Sequence, residues 1–392
     1  MVVTKEALDM DVVIHREMGR EEAPRSGIPG LGSTKLALGG VTFLGLTLGV
    51  LWWQVSQIPP GGAALTWVEL RWGYLALILL CLPVETTASA LRTWALCRVL
   101  PPRVTLWTAI KAEWANVAIS LLTPSQSGGG PGQIYMLSRA GVSVPTALTI
   151  SLISFLGTMV GLFAMGLYSL FVSGLAATGP LLAGAIWALT GISAAMLVAA
   201  LAPGLFRVAL GTLSRAACRL AGAGERLRDW WPPRVARTGP PVDRMDPLTA
   251  RLADMIHTYR DDVRRFLRVG KASFAGVCLL SLVFLFSRCL LPYLCVRFLG
   301  IQASTLGGIV EAQMALIFLV FFAPTPGGAG LAEGASLSIM TAIVPMGFAP
   351  YYNLLWRFST AYLAAIAGLV CLARALGADA RATISTRRRD GS

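Results

Sequence analysis

The stretch from Ala323 to Gly334, Ala-Pro-Thr-Pro-Gly-Gly-Ala-Gly-Leu-Ala-Glu-Gly, holds the residue types in this chain that are best suited to chemistry. Pro324 and Pro326 cannot continue a helix, and the glycines that follow leave the backbone uncovered. Bare N–H groups at the start of a half-helix form a cradle suited to a phosphate. Glu333 comes just after the break and is expensive to bury in an apolar setting, so a functional role is its default interpretation.

A second stretch of the same kind lies in the first half of the chain. Residues 122–133 have the sequence Leu-Thr-Pro-Ser-Gln-Ser-Gly-Gly-Gly-Pro-Gly-Gln, with helix breakers at Pro124 and Pro131. When the two stretches are aligned on their first prolines, glycines fall on glycines, and we interpret the two halves of the chain as repeats. The aligned pairs are Pro124 and Pro324, Gly128 and Gly328, Gly130 and Gly330, Gln133 and Glu333, and, at nearly matching distance in the preceding helices, Glu113 and Glu311.

Composition and hydropathy place these stretches in an integral membrane protein. Of the 392 residues, 55% are hydrophobic and 14% are charged, and the mean hydropathy is +0.66. We predict an all-α, polytopic fold with about six full spans. Each broken stretch is predicted to form a re-entrant helical hairpin, because prolines and glycines interrupt any continuous helix there. The predicted spans are 34–53, 72–91, 144–172, 181–202, 272–299 and 351–376.

The basic excess of the chain predicts its orientation in the membrane. The formal net charge is +13, and Lys and Arg concentrate in loops that flank apolar spans, as the positive-inside rule describes. This pattern predicts an inner (plasma) membrane protein with both termini in the cytoplasm. The first hairpin then enters from the cytoplasm and the second from outside, which is the inverted-repeat arrangement of secondary transporters. We expect no nucleic-acid binding, because no basic region stands apart from the spans.

The chain divides into two membrane halves, each with one break, separated by a basic cytoplasmic loop. Within that loop, apolar side chains recur at helical spacing between arginines. This amphipathic helix lies either on an anionic membrane surface or on the protein's own cytoplasmic face. The segments are a polar leader at 1–33, the first half at 34–202 with its break at 124–133, the loop at 203–271 with its amphipathic helix at 247–268, the second half at 272–376 with its break at 324–334, and a basic tail at 377–392.

Charged side chains inside the spans supply the candidate site. Arginines are suited to a phosphodiester, and carboxylates to those arginines or to a cationic headgroup. For Glu333 and Arg288 we favour a role in substrate binding over an ion pair that only holds the helices together. For Arg92, Arg139 and Arg357, near predicted span ends, snorkelling to lipid headgroups is an equal alternative. The candidate substrate-binding residues are Glu85, Glu113, Gly128, Gly130, Gln133, Arg139, Arg288, Glu311, Gly327, Gly328, Gly330, Glu333 and Arg357, with structural breaks at Pro124, Pro131, Pro324 and Pro326.

The two broken stretches, together with Arg139, resemble the flippase-like membrane region of lysylphosphatidylglycerol synthases, over about residues 34–376. The resemblance implies translocation of a phospholipid or polyprenyl-linked lipid between leaflets, with Glu333 and Arg139 as the charged residues carried over. The first stretch departs from the family because it lacks an acidic residue or arginine near its turn. The synthases also carry a soluble aminoacyl-transfer domain after the membrane region. This sequence ends about sixteen residues past its last predicted span, so we do not expect aminoacylation.

We therefore predict a lipid flippase or transporter whose ligand is an anionic phospholipid or a polyprenyl phosphate. The sequence contains no nucleotide-binding Gly-x-x-x-x-Gly-Lys-Ser/Thr motif. An enzyme is disfavoured, because the two histidines lie outside the spans and the carboxylates lack metal-ligand spacing. We accordingly predict no catalytic residue, metal or cofactor. An ion-coupled small-solute transporter and a non-catalytic membrane partner of a lipid-synthesis complex stay open, as does a homo-oligomer.

Overall fold

The computed structural model describes most of the chain, and its described part forms helices and no strand. This confirms the all-α prediction. Nearly all of the predicted leader and most of the predicted basic loop lie outside the described residues. The described residues are 33–56, 70–124, 126, 128–171, 180–201, 258–259, 261–266, 268–302, 306–340 and 343–390.

We number the helices in chain order. A 3₁₀-helix at Met346–Phe348 precedes α10, and a π-helix at Phe358–Tyr362 joins α10 to α11. The helices are α1 Ser33–Ser56, α2 Trp72–Val99, α3 Leu106–Leu122, α4 Gly129–Ser138, α5 Val144–Phe171, α6 Pro180–Leu201, α7 Lys271–Phe298, α8 Leu306–Phe322, α9 Leu331–Met340, α10 Ala349–Arg357 and α11 Leu363–Asp390.

Four helical segments are long and apolar enough to cross a membrane, and the chain is a membrane protein. They are Trp72–Val99, Val144–Ser169, Lys271–Phe298 and Ala349–Asp379, and each coincides with a predicted span. The two other predicted spans correspond to α1 and α6, in which the described residues form shorter apolar runs.

An antiparallel pair, α2 and α7, forms the centre of the molecule. The Arg71 N–H donates to the Phe298 carbonyl at 2.9 Å, so the start of α2 lies beside the end of α7. Farther along, Arg92 of α2 donates to Ser281 of α7 at 3.0 Å. The helix α2 continues to Val99, beyond the predicted end of this span. Arg92 therefore lies within the helix and is only 5% exposed, and the snorkelling alternative for it is wrong.

A helical hairpin follows each member of this pair. In the first hairpin, α4 folds back along α3. Gly129 at the start of α4 lies near Ser120 and Asn116, and Gly132, one turn later, lies near the carbonyl of Ala115, closer to the start of α3. In the second hairpin, α9 folds back on α8 in the same way, and Ala332 shares a buried cluster with residues of α8. The paired helices have equal lengths in the two hairpins, at 17 and 10 residues.

The two hairpins open at opposite ends of the central pair. One buried cluster joins the end of α4 to the end of α2 and the start of α5, through Leu137, Leu96 and Ala147. A second cluster joins the start of α8 to the start of α2, through Ile309 and Ile78.

The tips of the hairpins meet between these clusters. Pro124 and Pro326 form an isolated antiparallel bridge. The Gly327 N–H donates to the Thr123 carbonyl at 3.4 Å. The two breaks, far apart in sequence, therefore form one contact.

The breaks are shorter than predicted. The first break ends at Gly128, because α4 begins at Gly129. Pro131 lies in the first turn of α4 and does not interrupt it, since the first turn of a helix tolerates a residue without an N–H. The second break ends at Gly330, so Glu333 lies in the first turn of α9.

Part of the predicted amphipathic helix at 247–268 packs against the protein itself. In its second half, residues 258–259 and 261–266 are helical. Its first half, residues 247–257, lies outside the described residues. The ring of Phe266 is buried and meets that of Phe274 edge to face, with centroids 6.2 Å apart. The hydroxyl of Thr146 donates to Asp262 at 2.6 Å. These contacts favour the alternative in which the helix lies on the protein's own face.

The seam between α3 and α11 gives a direct test of this packing. A Cβ at Gly368 would collide with the carbonyl of Trp114, and a helix backbone cannot yield as a side chain would. We expect Gly368→Ala to lower the free energy of unfolding by about 1–3 kcal/mol, measured by thermal denaturation in detergent. Gly276→Ala on α7 is the matched control because no atom lies within 4 Å of its Cβ position. Equal stability of the two variants would contradict this packing.

Candidate functional site

A cavity of about 680 Å³ lies between the central pair, the two hairpins and the last span. Its wall combines aromatic and aliphatic side chains with an unusual density of charge for the interior of a membrane protein. Several neutral polar side chains lie between the charges. The charged and amide residues that line it are Glu85, Arg92, Glu113, Asn116, Gln126, Gln133, Arg288, Gln313 and Arg357.

An ion pair links the two central helices across this cavity. The Arg288 Nη1 of α7 donates to the Glu85 Oε1 of α2 at 2.9 Å. The guanidinium of Arg288 also lies 5.8 Å from the centroid of the Phe284 ring. Both partners were predicted as substrate-binding residues, and the structure brings them together at the wall.

Arg92 is the second arginine of the wall, and hydroxyl groups hold it. It donates to Thr158 of α5 at 2.8 Å, to Ser281 of α7 at 3.0 Å and to Ser89 of its own helix at 2.7 Å. Its guanidinium lies 4.8 Å from the centroid of the Phe284 ring. Among the described residues, no carboxylate lies within salt-bridge distance of Arg92. Its charge is therefore held in place by neutral groups.

Glu113 of α3 is surrounded by neutral hydrogen-bond donors. Its carboxylate accepts from Ser89, Thr93 and Gln133, each at 2.8 Å. Ser89 and Thr93 are four residues apart and lie on one face of α2. Gln133 in turn accepts from Ser151 of α5 at 2.8 Å. One carboxylate thus ties the first hairpin to two neighbouring helices.

Arg357 is the third arginine, and it holds the tip of the second hairpin. Its Nε donates to Glu333 Oε1 at 2.8 Å, and its Nη atoms donate to the carbonyls of Gly327 and Gly328 at 3.5 and 3.4 Å. The other Glu333 oxygen accepts from the N–H of Gly330 at 2.7 Å, closing the first turn of α9. Glu333 is fully buried and does not line the cavity.

Four of the predicted glycine N–H groups, those of Gly128, Gly327, Gly328 and Gly330, are not bare in this arrangement. Gly327 donates to Thr123, Gly328 to Thr325 and Gly330 to Glu333. In the first hairpin, Gly128 donates to the Thr123 hydroxyl at 2.9 Å. These N–H groups already have acceptors within the protein, because the folded tips supply them. The chemistry of the site therefore comes from side chains.

The glycines of the second tip are required for a different reason. Gly327, Gly328 and Gly330 have φ of 57°, 69° and 79°, a left-handed backbone that residues with a Cβ adopt only under strain. The turn also presses Gly327 against the backbone of Leu121 and the ring of Phe43. The glycines are thus used to shape the tip.

The cavity includes some predicted site residues and leaves others out. Arg139 pairs with Asp379 at 2.9 Å, and the Tyr135 hydroxyl donates to the same carboxylate at 2.6 Å, at the end of the molecule where the first hairpin opens. Glu311 is buried on α8 outside the wall. Predicted residues in the wall are Glu85, Glu113, Gln133, Arg288, Gly327 and Arg357, and those outside it are Gly128, Gly130, Arg139, Glu311, Gly328, Gly330 and Glu333.

Arg92 was undervalued from sequence, and Ser89 and Gln126 were missed. Ser89 and Arg92 follow the predicted Glu85 at helical spacing on one face of α2, and that spacing was the signal for Arg92. Gln126 has a positive φ of 55°, which is uncommon for a residue other than glycine. Its place between two prolines in a Gly/Ser-rich turn gave no sign of that conformation.

The cavity reaches the outer surface of the helices. Leu79 of α2, Trp107 of α3 and Leu363 of α11 line it and are also 58%, 56% and 42% exposed. Leu79 and Leu363 lie on helical segments long and apolar enough to cross a membrane, where large apolar side chains with this exposure face lipid. The wall therefore continues from buried arginines to an apolar rim on the side of the protein.

A comparison with protein families matches residues 36–368 to the family described as the lysylphosphatidylglycerol synthase TM region. The match covers most of the chain and includes both hairpins and every residue of the cavity wall named above. A search of the curated proteins finds no match.

The salt bridges Glu333–Arg357 and Asp379–Arg139 differ in burial, and their contributions to stability can be compared by mutation. Glu333→Gln leaves a buried guanidinium without its counter-ion, and we expect a loss of about 3–5 kcal/mol in the free energy of unfolding. Arg139→Gln breaks a pair whose arginine side chain is 29% exposed, and we expect a loss below about 1 kcal/mol. Chemical denaturation in detergent gives both values.

A charge-free variant provides the control for this comparison. Glu333→Gln combined with Arg357→Met removes both charges, so part of the stability lost in Glu333→Gln should return. Equal losses for Glu333→Gln and Arg139→Gln would contradict a structural role for the buried pair.

Proposed function

The chain belongs to the lysylphosphatidylglycerol synthase transmembrane-region family, and we propose that it moves a phospholipid or a polyprenyl-linked lipid between the leaflets of a membrane. The ligand is recognised through an anionic phosphate headgroup. The protein acts as a flippase or lipid transporter and not as an enzyme, and its partners are membrane lipids.

One observation carries this proposal: the cavity joins buried arginines to an apolar rim on the lipid-facing side. Arg92 and Arg357 are buried in the inner wall and Arg288 is partly buried there, and guanidinium groups bind phosphate oxygens through strong, charge-assisted hydrogen bonds. Leu79 and Trp107 belong to the same wall and are exposed. A lipid can place its headgroup at Arg92, which hydroxyl groups hold, while its chains leave between α2, α3 and α11.

The membrane topology that we propose follows from the two hairpins. They open at opposite ends of the central pair and touch at Pro124 and Pro326. We place their tips near the middle of the bilayer, which makes both hairpins re-entrant, and we add α1 and α6 to the four longer spans. This is an inverted repeat of six spans and two hairpins, with the binding site at the broken helices.

The distribution of basic residues supports an orientation with both termini in the cytoplasm of a plasma membrane. The end at which the first hairpin opens carries most of the described Lys and Arg that lie near helix ends. The opposite end carries Arg71 and Arg297. Basic residues at the first end are Arg98, Arg103, Arg139, Lys271, Arg374 and Arg381.

A small-solute transporter is the second candidate, because the arginines would serve a soluble anion equally well. The exposed rim of Leu79, Trp107 and Leu363 favours a lipid. A soluble ligand has no need of a site that continues onto the lipid-facing surface.

Leaflet exchange in liposomes tests the proposal. Purified protein is reconstituted with headgroup-labelled phosphatidylglycerol, a polyprenyl phosphate or phosphatidylcholine, and exchange is scored for the wild type and Arg92→Gln. We expect exchange of an anionic lipid and a loss of about tenfold or more in the variant, because a charge-assisted hydrogen bond contributes about 1.5–3 kcal/mol.

Arg98→Gln is the matched control on the same helix. Arg98 is exposed, stacks on Trp94 at 4.0 Å and lies outside the cavity, so this variant should exchange lipid at the wild-type rate. Wild-type exchange by Arg92→Gln would contradict the assigned headgroup site. Failure of the wild type to exchange any of the three lipids would contradict the flippase itself.

A further inference from the structure

We propose that Glu113 takes up one proton when a headgroup of net charge −1 binds in the cavity, so that lipid binding and proton binding are coupled. This inference rests on the proposed function and adds a driving force to it. Its chemical class of ligand is an anionic phosphate, bound at the arginines, together with a proton bound at the carboxylate of α3.

The charges of the cavity wall and of their direct salt-bridge partners are balanced before any ligand binds. Within the described residues, its wall carries three arginines, Arg92, Arg288 and Arg357, and two carboxylates, Glu85 and Glu113. The third carboxylate, Glu333, lies behind the wall in contact with Arg357. Three positive and three negative groups leave no net charge to attract an anion. An anionic headgroup would therefore make the site negative in surroundings of low dielectric, where uncompensated charge is strongly unfavourable.

Of these three carboxylates, Glu113 is the one that can be protonated without leaving an arginine that has lost its counter-ion. Glu85 and Glu333 each accept directly from a guanidinium, at 2.9 and 2.8 Å. Protonating either one would leave its arginine without a counter-ion. Glu113 accepts from hydroxyl and amide groups, and none of the salt bridges of the described residues includes it.

The charged groups that face Glu113 are few. From α2, Arg92 approaches it through one hydroxyl: Arg92 donates to Ser89 at 2.7 Å, and Ser89 donates to Glu113 at 2.8 Å. From α4 and α5 the facing groups are the neutral Gln133 and Ser151, and neither helix has a charged residue in its described range. On α3 itself, Lys111 lies two positions away, about 200° around the helix. Helix α11 packs on α3 at Gly368 and Trp114, and its first charged residue is Arg374. Helix α1 also packs on α3, and its charged residue is Lys35.

This geometry makes the charge state of Glu113 sensitive to a ligand. While the cavity is empty of anion, only the Ser89 hydroxyl separates the positive charge of Arg92 from the carboxylate of Glu113. A phosphate at Arg92 offsets that positive charge and brings a like charge close to the carboxylate, and both effects favour protonation. The Ser89 hydroxyl can reverse its direction and accept from the new O–H, because a hydroxyl both donates and accepts.

The proposed protonation forms a single bond, the O–H bond of Glu113. A proton from bulk water binds a carboxylate oxygen of Glu113 and leaves again when the headgroup departs, and no bond of the lipid is broken. One proton then accompanies each headgroup between the leaflets. A pH difference of one unit across the membrane accordingly shifts the leaflet distribution of the lipid by up to about tenfold.

The first measurement uses wild-type protein in a weakly buffered detergent solution with a pH-sensitive dye. Short-chain phosphatidylglycerol is added, with short-chain phosphatidylcholine and chain-free glycerophosphoglycerol in parallel. We expect uptake of about one proton per bound phosphatidylglycerol and none with phosphatidylcholine. Uptake with glycerophosphoglycerol as well would identify the phosphate, without its chains, as sufficient. Binding of phosphatidylglycerol without proton uptake overturns the coupling and leaves the flippase proposal standing; absence of binding overturns both.

The second measurement uses liposomes with an imposed pH difference and compares Glu113→Gln with Asp379→Asn. Glu113→Gln keeps the size of the side chain, replaces one acceptor oxygen with an NH2 donor and cannot change charge, so we expect phosphatidylglycerol distribution to lose its dependence on pH difference. Asp379 lies outside the cavity, and its variant should keep that dependence. Retention of the pH dependence, or of proton uptake on binding, by Glu113→Gln overturns the proposal.

Discussion

The contact between the two hairpin tips is the constraint on which the rest of the structure depends. Helices that stop inside a membrane protein expose N–H and C=O groups, which are tolerated there only when protein or water supplies partners. The first tip supplies the Thr123 carbonyl to Gly327, and Arg357 supplies its guanidinium to the carbonyls of Gly327 and Gly328. Each hairpin thus helps to satisfy the other, and neither tip can be moved without leaving polar backbone groups unpaired.

The contact between the tips also determines which charged side chains are available to a ligand. Glu333 and Arg357 are both almost completely buried, and their pairing is used to hold the second tip, so little of that charge is left for a ligand. The charge available to a ligand lies where hydroxyl groups, and not counter-ions, hold it. That condition is met at Arg92 and at Glu113, which share Ser89 as a neighbour. In the proposed function, the headgroup and the proton are therefore bound between α2 and the first hairpin.

The architecture could be predicted from the sequence more fully than the site. Pro124 and Pro324, each followed by glycines, predict interrupted helices. Proline removes a backbone N–H donor and glycine makes the backbone flexible, and these local properties do not depend on the fold. The roles of charged residues depend on what they face. From sequence, Glu333 was predicted to bind a ligand because the sequence does not show that Arg357 is its partner. Arg92 looks like a span end because the hydropathy pattern falls at that point, although α2 continues.

The two hairpins differ at the aligned positions 133 and 333. Glu333 turns back to its own helix start and to Arg357, and so locks the second hairpin. Gln133 has no charge for that purpose, and instead donates to Glu113 and accepts from Ser151. A neutral amide at this position leaves the neighbouring carboxylate free of a fixed counter-ion. Because the first stretch lacks a charged residue at its turn, the carboxylate on α3 accepts from a neutral amide there, and this difference between the hairpins is the basis on which we assign it the proposed change of charge.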